Sequence, residues 1–520
     1  MKNQQLFFVL LLLSIGFSCQ TPEDEMPSLP NIIYVLADDL GYGDIATFNK
    51  DGKIPTPHLD RMAAEGVKFT DAHSSSAVCT PTRYSTLTGR YNWRSRLKSG
   101  VLTGKSKALI PNDRSTVASL LKKKGYSTAF IGKWHLGWDW ALKTDTLGGS
   151  GWQAADFDNI DFTQAIKNTP NDLGFDYAYG HAGSLDMAPY VYVENGKVTQ
   201  VPDTVTVDKG KYTWWREGPT SRDFIHEQVT PHFFEKAMTY ISSSPKEEPF
   251  FLYLALPSPH TPILPTEDWL GKSNLNPYAD FVMQIDDHMG QLIEVLRAQG
   301  IDENTLIIFT SDNGCSPQAD FEVLGAKGHD PSYIYRGHKA DIYEGGHRVP
   351  YIARWPAGAK AGHESDQLVC STDLMATCAA IVGHELAENE GEDSYSFLGQ
   401  LEGEVGSGIR PDIIHHSING AFAIREGDYK LIMDPGSGGW SFPNRKQVQE
   451  IDTFPPIQLY NLANDPAEAN NLQAIEVKKV AALKQSLSRY ILQGRSTPGN
   501  AQDNDAFEGE WKQISFTAEQ

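Results

Sequence analysis

Three near-continuous apolar runs constrain this chain most: Asn31-Ile32-Ile33-Tyr34-Val35-Leu36-Ala37, Phe250-Phe251-Leu252-Tyr253-Leu254-Ala255-Leu256 and Thr305-Leu306-Ile307-Ile308-Phe309-Thr310. Each has strand length, is rich in β-branched or aromatic residues and shows no polar face, so it reads as a strand buried on both sides of a parallel sheet. Ser127-Thr128-Ala129-Phe130-Ile131 is a further strand. Helical patterns lie between them. Pro57 to Ala64 carries Leu59, Met62 and Ala63 on one face and ends at Gly66; Ser115 to Lys124 is closed by Gly125. Tyr278 to Gln299 presents a stripe of Tyr278, Phe281, Ile285, Met289, Leu292 and Leu296 before Gly300. The expected class is α/β, with a large, mostly parallel central sheet flanked by helices. Near residue 400 the pattern loosens. Ala421–Ile424 and Tyr429–Met433 then read as a strand pair, and Asp465 onward leads into a helix through Tyr490.

Open sheets of this kind bind ligands beyond the C-terminal ends of their strands, and those ends are chemically loaded here. The first run stops at Asp38-Asp39, the third at Ser311-Asp312-Asn313-Gly314. Adjacent carboxylates repel, so a cation is expected between Asp38 and Asp39. Asp38, Asp39, Asp312 and Asn313 offer only oxygen, which favours a hard divalent cation, Ca²⁺ ahead of Mg²⁺, over zinc. After Ile131 comes Gly132-Lys133-Trp134-His135-Leu136-Gly137; Lys133 and His135, two apart in extended chain, share a face and can address one anion. After Leu256, prolines hold His260 near the same edge.

The stretch Val78-Cys79-Thr80-Pro81-Thr82-Arg83-Tyr84-Ser85-Thr86-Leu87-Thr88-Gly89-Arg90 looks like an anion-seeking pocket. Pro81 suits the first turn of a helix and Thr80 its N-cap, so Cys79 sits at a helix mouth with Arg83 about one turn on. Cys-x-Pro-x-Arg followed by Leu-Thr-Gly-Arg resembles the signature of the type I sulfatases of the alkaline-phosphatase-like superfamily, with Thr82 where Ser is commonest. Gly132-Lys133-Trp134-His135-Leu136-Gly137 and Lys339 followed by Glu344-Gly345-Gly346-His347-Arg348-Val349-Pro350 resemble further segments of that family, in its order, across most of residues 30 to 495. For His338 and Arg348 the default of a solvated charge run stands.

The resemblance implies that a maturation enzyme converts Cys79 to Cα-formylglycine (3-oxoalanine). The hydrated aldehyde would attack the sulfur of a sulfate ester in line, with Arg83 and a metal held by Asp38, Asp39, Asp312, Asn313 and position 79 steadying it. Lys133, His260, Lys339 and the metal would hold the sulfate oxygens. His260, with Lys339, would protonate the departing alkoxide, and His135 would take a proton so that sulfate is expelled. It also implies a catalytic domain over 31–400 and a smaller C-terminal α+β subdomain, antiparallel sheet plus helix, over 401–520. Without the resemblance the residues lead only to an α/β hydrolase of an anionic ester with an oxygen-liganded metal.

The formal net charge of −21 over 520 residues argues against nucleic acid and anionic membrane surfaces as partners. The five cysteines are too few for a disulfide scaffold, and Cys370 and Cys378 read as free thiols. Lys2 and the apolar run Leu6 to Phe17 form a targeting segment too short to span a bilayer comfortably. Gly16-Phe17-Ser18-Cys19 resembles a bacterial lipobox, which implies a signal peptide over 1–18, a lipid on Cys19, a polar tether over 19–30 and a place in the periplasm or on the outer-membrane surface of a Gram-negative cell. An ordinary signal peptide is the alternative.

Tyr192 to Thr206 reads as a hairpin turning at Asn195-Gly196. Gly174 to Met187 reads as loop over the sheet, with His181, Asp186 and Tyr190 as candidate sugar contacts, joined by His347. His415 and His416 are candidates to reach over the site. An exported sulfatase suits sulfated carbohydrate, and the segments near Asp186 and Glu344 resemble bacterial 6-O-sulfatases acting on galactose or N-acetylgalactosamine. The rival readings are a phosphatase or phosphodiesterase of the same superfamily and a non-catalytic surface glycan-binding lipoprotein.

Overall fold

The computed structural model describes residues 29–146, 148–404, 408–507 and 509–519. The signal peptide, Cys19 and nearly all of the tether lie outside the described residues. The central sheet has ten strands: β1 (Asn31–Asp38), β2 (Val67–Phe69), β3 (Ser127–Lys133), β4 (Tyr177–His181), β5 (Val193–Glu194), β6 (Lys197–Val198), β7 (Phe250–Pro259), β8 (Thr305–Ser311), β9 (Tyr351–Arg354) and β10 (His363–Ser365), in the order β10-β2-β9-β8-β1-β7-β3-β4-β5-β6. From β8 to β4 every neighbour is parallel. Ile32, Ile33, Tyr34, Val35 and Leu36 are wholly buried, as the unbroken apolar run requires.

Register fixes where chemistry can happen. Ala37 pairs with Ser311, Asp38 with Pro259, and Lys133 with His181, so the polar ends of β1, β8, β7, β3 and β4 surface at one edge. Helices α1 (Pro57–Ala64), α2 (Cys79–Thr88), α3 (Val117–Lys123), α4 (Val229–Ser243) and α5 (Pro277–Gln299) pack around the sheet. The stripe of α5 from Tyr278 to Leu296 is buried, and Gly300 closes it at φ 70°.

A second, antiparallel sheet is built from β11 (Asp412–His416), β12 (Phe422–Glu426), β13 (Tyr429–Ile432) and β14 (Gln458–Asn461), covered by α6 (Val477–Leu492). Among the described residues no helix is long and apolar enough to cross a membrane. Cys79, Cys315, Cys370 and Cys378 are buried free thiols.

Four local expectations change. Tyr177 to His181, expected as loop over the sheet, is strand β4 within it, paired in parallel with β3. Helix α2 begins at Cys79 itself, behind an extended Val78, so Thr80 is not the cap; its hydroxyl donates instead to the His135 carbonyl at 2.9 Å. The hairpin at Asn195-Gly196 is real but ends at Val198, and Thr204–Asp208 pairs with Trp215–Thr220. Arg348 is not a solvated charge: it bonds the Thr70 carbonyl at 2.7 Å and pairs with Asp71 and Glu344, both at 3.1 Å.

Candidate active site

Cys79 opens α2 at the bottom of the strand-end edge, 2 % exposed. Burial raises its thiol pKa, against the pull of Lys133 and Lys339. Asp38 ends β1. Burial would raise its carboxyl, but Lys133, His260, Arg83 and Lys339 together hold it well below the usual range. Lys133 donates to Asp38 Oδ2. Asp39, at φ 65°, turns back: its Oδ1 accepts from Asn313 Nδ2 at 2.7 Å and its Oδ2 from Lys339 Nζ at 2.7 Å. Asp312 Oδ2 accepts from Arg83 Nε at 2.9 Å, and burial with Asp38 nearby pushes its carboxyl up to about 7. Arg83 is locked further by the Lys133 carbonyl at 3.0 Å.

The donor set fits a hard cation. Asp38, Cys79 and Asp312 form one close group of ligand atoms, and Asp38, Asp39 and His260 another. Asp38 Oδ1 and Asn313 Oδ1 are buried with no hydrogen-bond partner, which is costly for oxygen unless an ion takes them. Three carboxylates, Asp38, Asp39 and Asp312, face three cations, Arg83, Lys133 and Lys339. A divalent ion would therefore give the site net positive charge and let it attract an anion in a chain of charge −21.

The two histidines are fixed in opposite senses. His135, at φ 52°, has Nε2 at 2.8 Å from the Leu102 carbonyl. A carbonyl only accepts, so Nε2 carries the hydrogen and Nδ1, buried and without a partner, carries the lone pair. Burial and Lys133 hold this ring well below its ordinary pKa, in the neutral form that a base needs. His260 donates Nδ1–H to the Thr261 carbonyl and its Nε2 faces Asp39 Oδ2 at 3.7 Å; burial and Lys339 lower this ring's pKa against the pull of Asp39 and Asp38, so Nε2 passes a proton only from the imidazolium. Thus Cys79, Arg83, Lys133, His135, His260, Lys339 and the oxygen ligands, scattered from 38 to 339 in the chain, meet at one place.

Other expected contacts are distributed differently. His181 lies beside Lys133 on β4; burial and that lysine take its pKa to about 3, and its Nε2 has no partner. Asp186 pairs with Arg216, whose carbonyl accepts from the Tyr190 hydroxyl at 2.7 Å. This loop adjoins the site: a Cβ on Gly104 would meet the Ala188 carbonyl at 2.0 Å, and Leu102 donates to Thr80 Oγ1 at 3.2 Å. His347 is wholly buried in a separate group with His73 and His415, and His416 faces Asn92. Sequence reasoning missed Arg216 and the indoles that flank it, Trp152 at 4.6 Å and Trp214 at 4.7 Å; no motif surrounds them.

A family model described as Sulfatase matches residues 30–384. The chain is 33 % identical to an N-acetylgalactosamine-6-O-sulfatase of Bacteroides thetaiotaomicron, over 92 % of this chain and 96 % of that one. It is 30 % identical to human arylsulfatase A, over 89 % of this chain and 86 % of the relative. A solved structure described under the metabolism of multiple glycosaminoglycans by Bacteroides thetaiotaomicron superposes with a TM-score of 0.75 at 32 % identity, covering 88 % of this chain and 98 % of that one.

Proposed function

The chain belongs to the formylglycine-dependent sulfatase family of the alkaline-phosphatase-like superfamily and is a carbohydrate sulfatase; from that premise we propose that it removes 6-O-sulfate from galactose or N-acetylgalactosamine in glycan breakdown. The near full-length likeness to an N-acetylgalactosamine-6-O-sulfatase supports the sugar and position. The observation that carries the chemistry is the meeting of Cys79 with six charged side chains and two partnerless ligand oxygens at one sheet edge.

Cys79 would be converted to formylglycine by a maturation enzyme; hydrated, that group would supply one hydroxyl as nucleophile and a second that lets sulfate be expelled. Ca²⁺ is the preferred ion; Asp38, Asp39, Asp312, Asn313 and the side chain at 79 would hold it, and it would supply positive charge at the sulfate oxygens. Arg83 holds Asp312 and so fixes the ligand next to the nucleophile. Lys133 and Lys339 bind the ester oxygens. His260, as the imidazolium that Asp39 and Asp38 favour, delivers its Nε2 proton to the leaving sugar oxygen and returns to the neutral Nδ1–H form, and His135 accepts a proton at Nδ1 from the side chain at 79. His181, Asp186, Tyr190 and Arg216 orient the sugar. The protein acts outside the cytoplasm, anchored through a lipid on Cys19.

The test is release of sulfate from monosaccharides sulfated at defined positions, beside an aryl sulfate and an aryl phosphate. The proposal expects turnover on galactose 6-sulfate or N-acetylgalactosamine 6-sulfate. Preference for a 4-sulfate would overturn the position, and faster phosphate release would overturn the ester class.

A further inference from the structure

Away from Cys79, the described residues hold a second close group of metal-type ligands. His73, Glu344, His347 and His415 are all buried, and one ligand atom from each lies within 4.8 Å of all the others. They come from separate segments: His73 from the short strand Ala72–His73, Glu344 and His347 from a one-turn helix, and His415 from β11 of the C-terminal sheet.

The hydrogen bonds at the rim aim lone pairs inward. His73 Nε2 donates to Asp71 Oδ1 at 2.8 Å, which leaves Nδ1 as its acceptor nitrogen. His347 Nε2 lies 3.1 Å from the Ile342 carbonyl; donating there leaves its Nδ1 as acceptor too. These two Nδ1 atoms are 3.1 Å apart. Two lone pairs at that distance repel unless something positive lies between them, and two nitrogens on one tetrahedral zinc sit about 3.3 Å apart. The carboxylate on the outer nitrogen of His73 is the usual orienting partner of a metal-bound imidazole.

His415 decides between an ion and a proton chain. Without an ion, Lys430 Nζ, 3.0 Å from His347 Nε2, could donate there, and His347 could pass Nδ1–H to His73. That chain satisfies His73 and His347 but does nothing for His415, which is stacked on His347 at 3.6 Å, wholly buried, with neither ring nitrogen partnered; an imidazole holds an ion in its ring plane, so His415 joins His347 on one ion by turning out of this stack. A buried imidazole with two orphaned nitrogens calls for an ion or water at one of them. Burial keeps all three rings neutral, the form that ligates. A cavity of about 200 Å³ lined by Tyr335, Glu344, Arg348 and Arg425 gives a way in.

We propose that His73, His347 and His415, with Glu344 beside them, bind a transition-metal ion, zinc by preference, separate from the oxygen-liganded ion beside Cys79, and that this ion staples the C-terminal sheet to the segments Ala72–His73 and Glu344–His347. Glu344 already pairs with Lys430 at 3.0 Å and Arg348 at 3.1 Å and so balances charge beside the ion, while the three imidazoles select a borderline-soft ion over calcium.

The experiment uses the full chain at fixed Ca²⁺. Protein is loaded with Zn²⁺, dialysed, and its metals counted by mass spectrometry, for wild type, His415→Phe (which keeps a stacked ring) and His73→Gln. Sulfatase turnover reports that each variant is folded. The expected result is about one zinc per wild-type chain, a zinc-dependent rise in Tm, and loss of both in the variants with turnover retained. Cobalt in place of zinc should give the visible absorption of a tetrahedral nitrogen–oxygen site. The proposal is overturned if folded, active wild type retains no zinc, or if wild type and variants retain it equally. Should a variant fail to fold, the wild-type stoichiometry and cobalt spectrum decide alone.

Discussion

Arg83 makes two contacts with Asp312 Oδ2, at 2.9 and 2.7 Å, with both side chains shut from water. Removing one member of such a pair strands the other. Arg83→Met should therefore cost about 3–5 kcal/mol of stability, read by denaturant unfolding, and should also loosen the ion site. Cys79→Ala should lower sulfate release by roughly 10⁴-fold or more while leaving the unfolding transition in place; a substantial residual rate would refute the assigned nucleophile. His260→Ala should cost about 10²–10⁴-fold on a sugar sulfate, whose alkoxide must be protonated, and much less on an activated aryl sulfate, whose leaving group needs no proton. Equal losses on both would remove His260 as the acid. These residues were legible in the sequence because each follows a strand or lies in the first two turns of a helix, so its address is local. Arg216, Trp152, Trp214 and Lys430 were not, because their partners are fixed by loop and sheet packing over long separations that no periodicity reports.

At the scale of elements, the site is a consequence of register. Gly132 shows how tightly β3 and β7 are held: at φ 128°, an added Cβ would lie 1.9 Å from the Ala255 carbonyl. Gly132→Ala should push β3 off β7 and carry Lys133 with it, costing about 1–3 kcal/mol in stability and lowering turnover beyond what lost stability explains. Unchanged turnover in the folded variant would show that Lys133 is not positioned through this contact. The strands and the α5 helix were readable because burial on both faces and the 3.6-residue stripe leave unmistakable patterns. Thr80 misled because a hydroxyl before a proline is a good cap in isolation, whereas here the carbonyl of His135, 55 residues away, takes it. The short extent of the 195–196 hairpin was hidden for the same reason: Thr204–Asp208 found a better partner in Trp215–Thr220.

For the whole molecule, buried neutral histidines set the response to pH. Burial takes His181, His226 and His416 to about 3. Between that value and an unfolded value near 6.5, the unfolded chain binds protons that the folded chain refuses, so each group removes about 1.4 kcal/mol per pH unit as pH falls through that window. Carboxyls that burial raises, such as Asp286 at about 6 and Glu468 at about 7, act in the opposite sense over the same window, so the test is a comparison: between pH 6.5 and 5 at constant Ca²⁺, His226→Gln should lose less Tm than wild type, and equal losses would contradict a buried neutral ring at 226. A chelator should abolish turnover, and Ca²⁺ should restore it more fully than Mg²⁺, because the ligand set is flexible oxygen. The account as a whole stands on position 79 being more than a buried thiol. Its most direct test is the mass of the peptide carrying that residue, from material whose sulfatase turnover has been measured. A mass reduced by the change from CH₂SH to CHO, in proportion to turnover, is the predicted result; full turnover from protein whose Cys79 is wholly unmodified would contradict it.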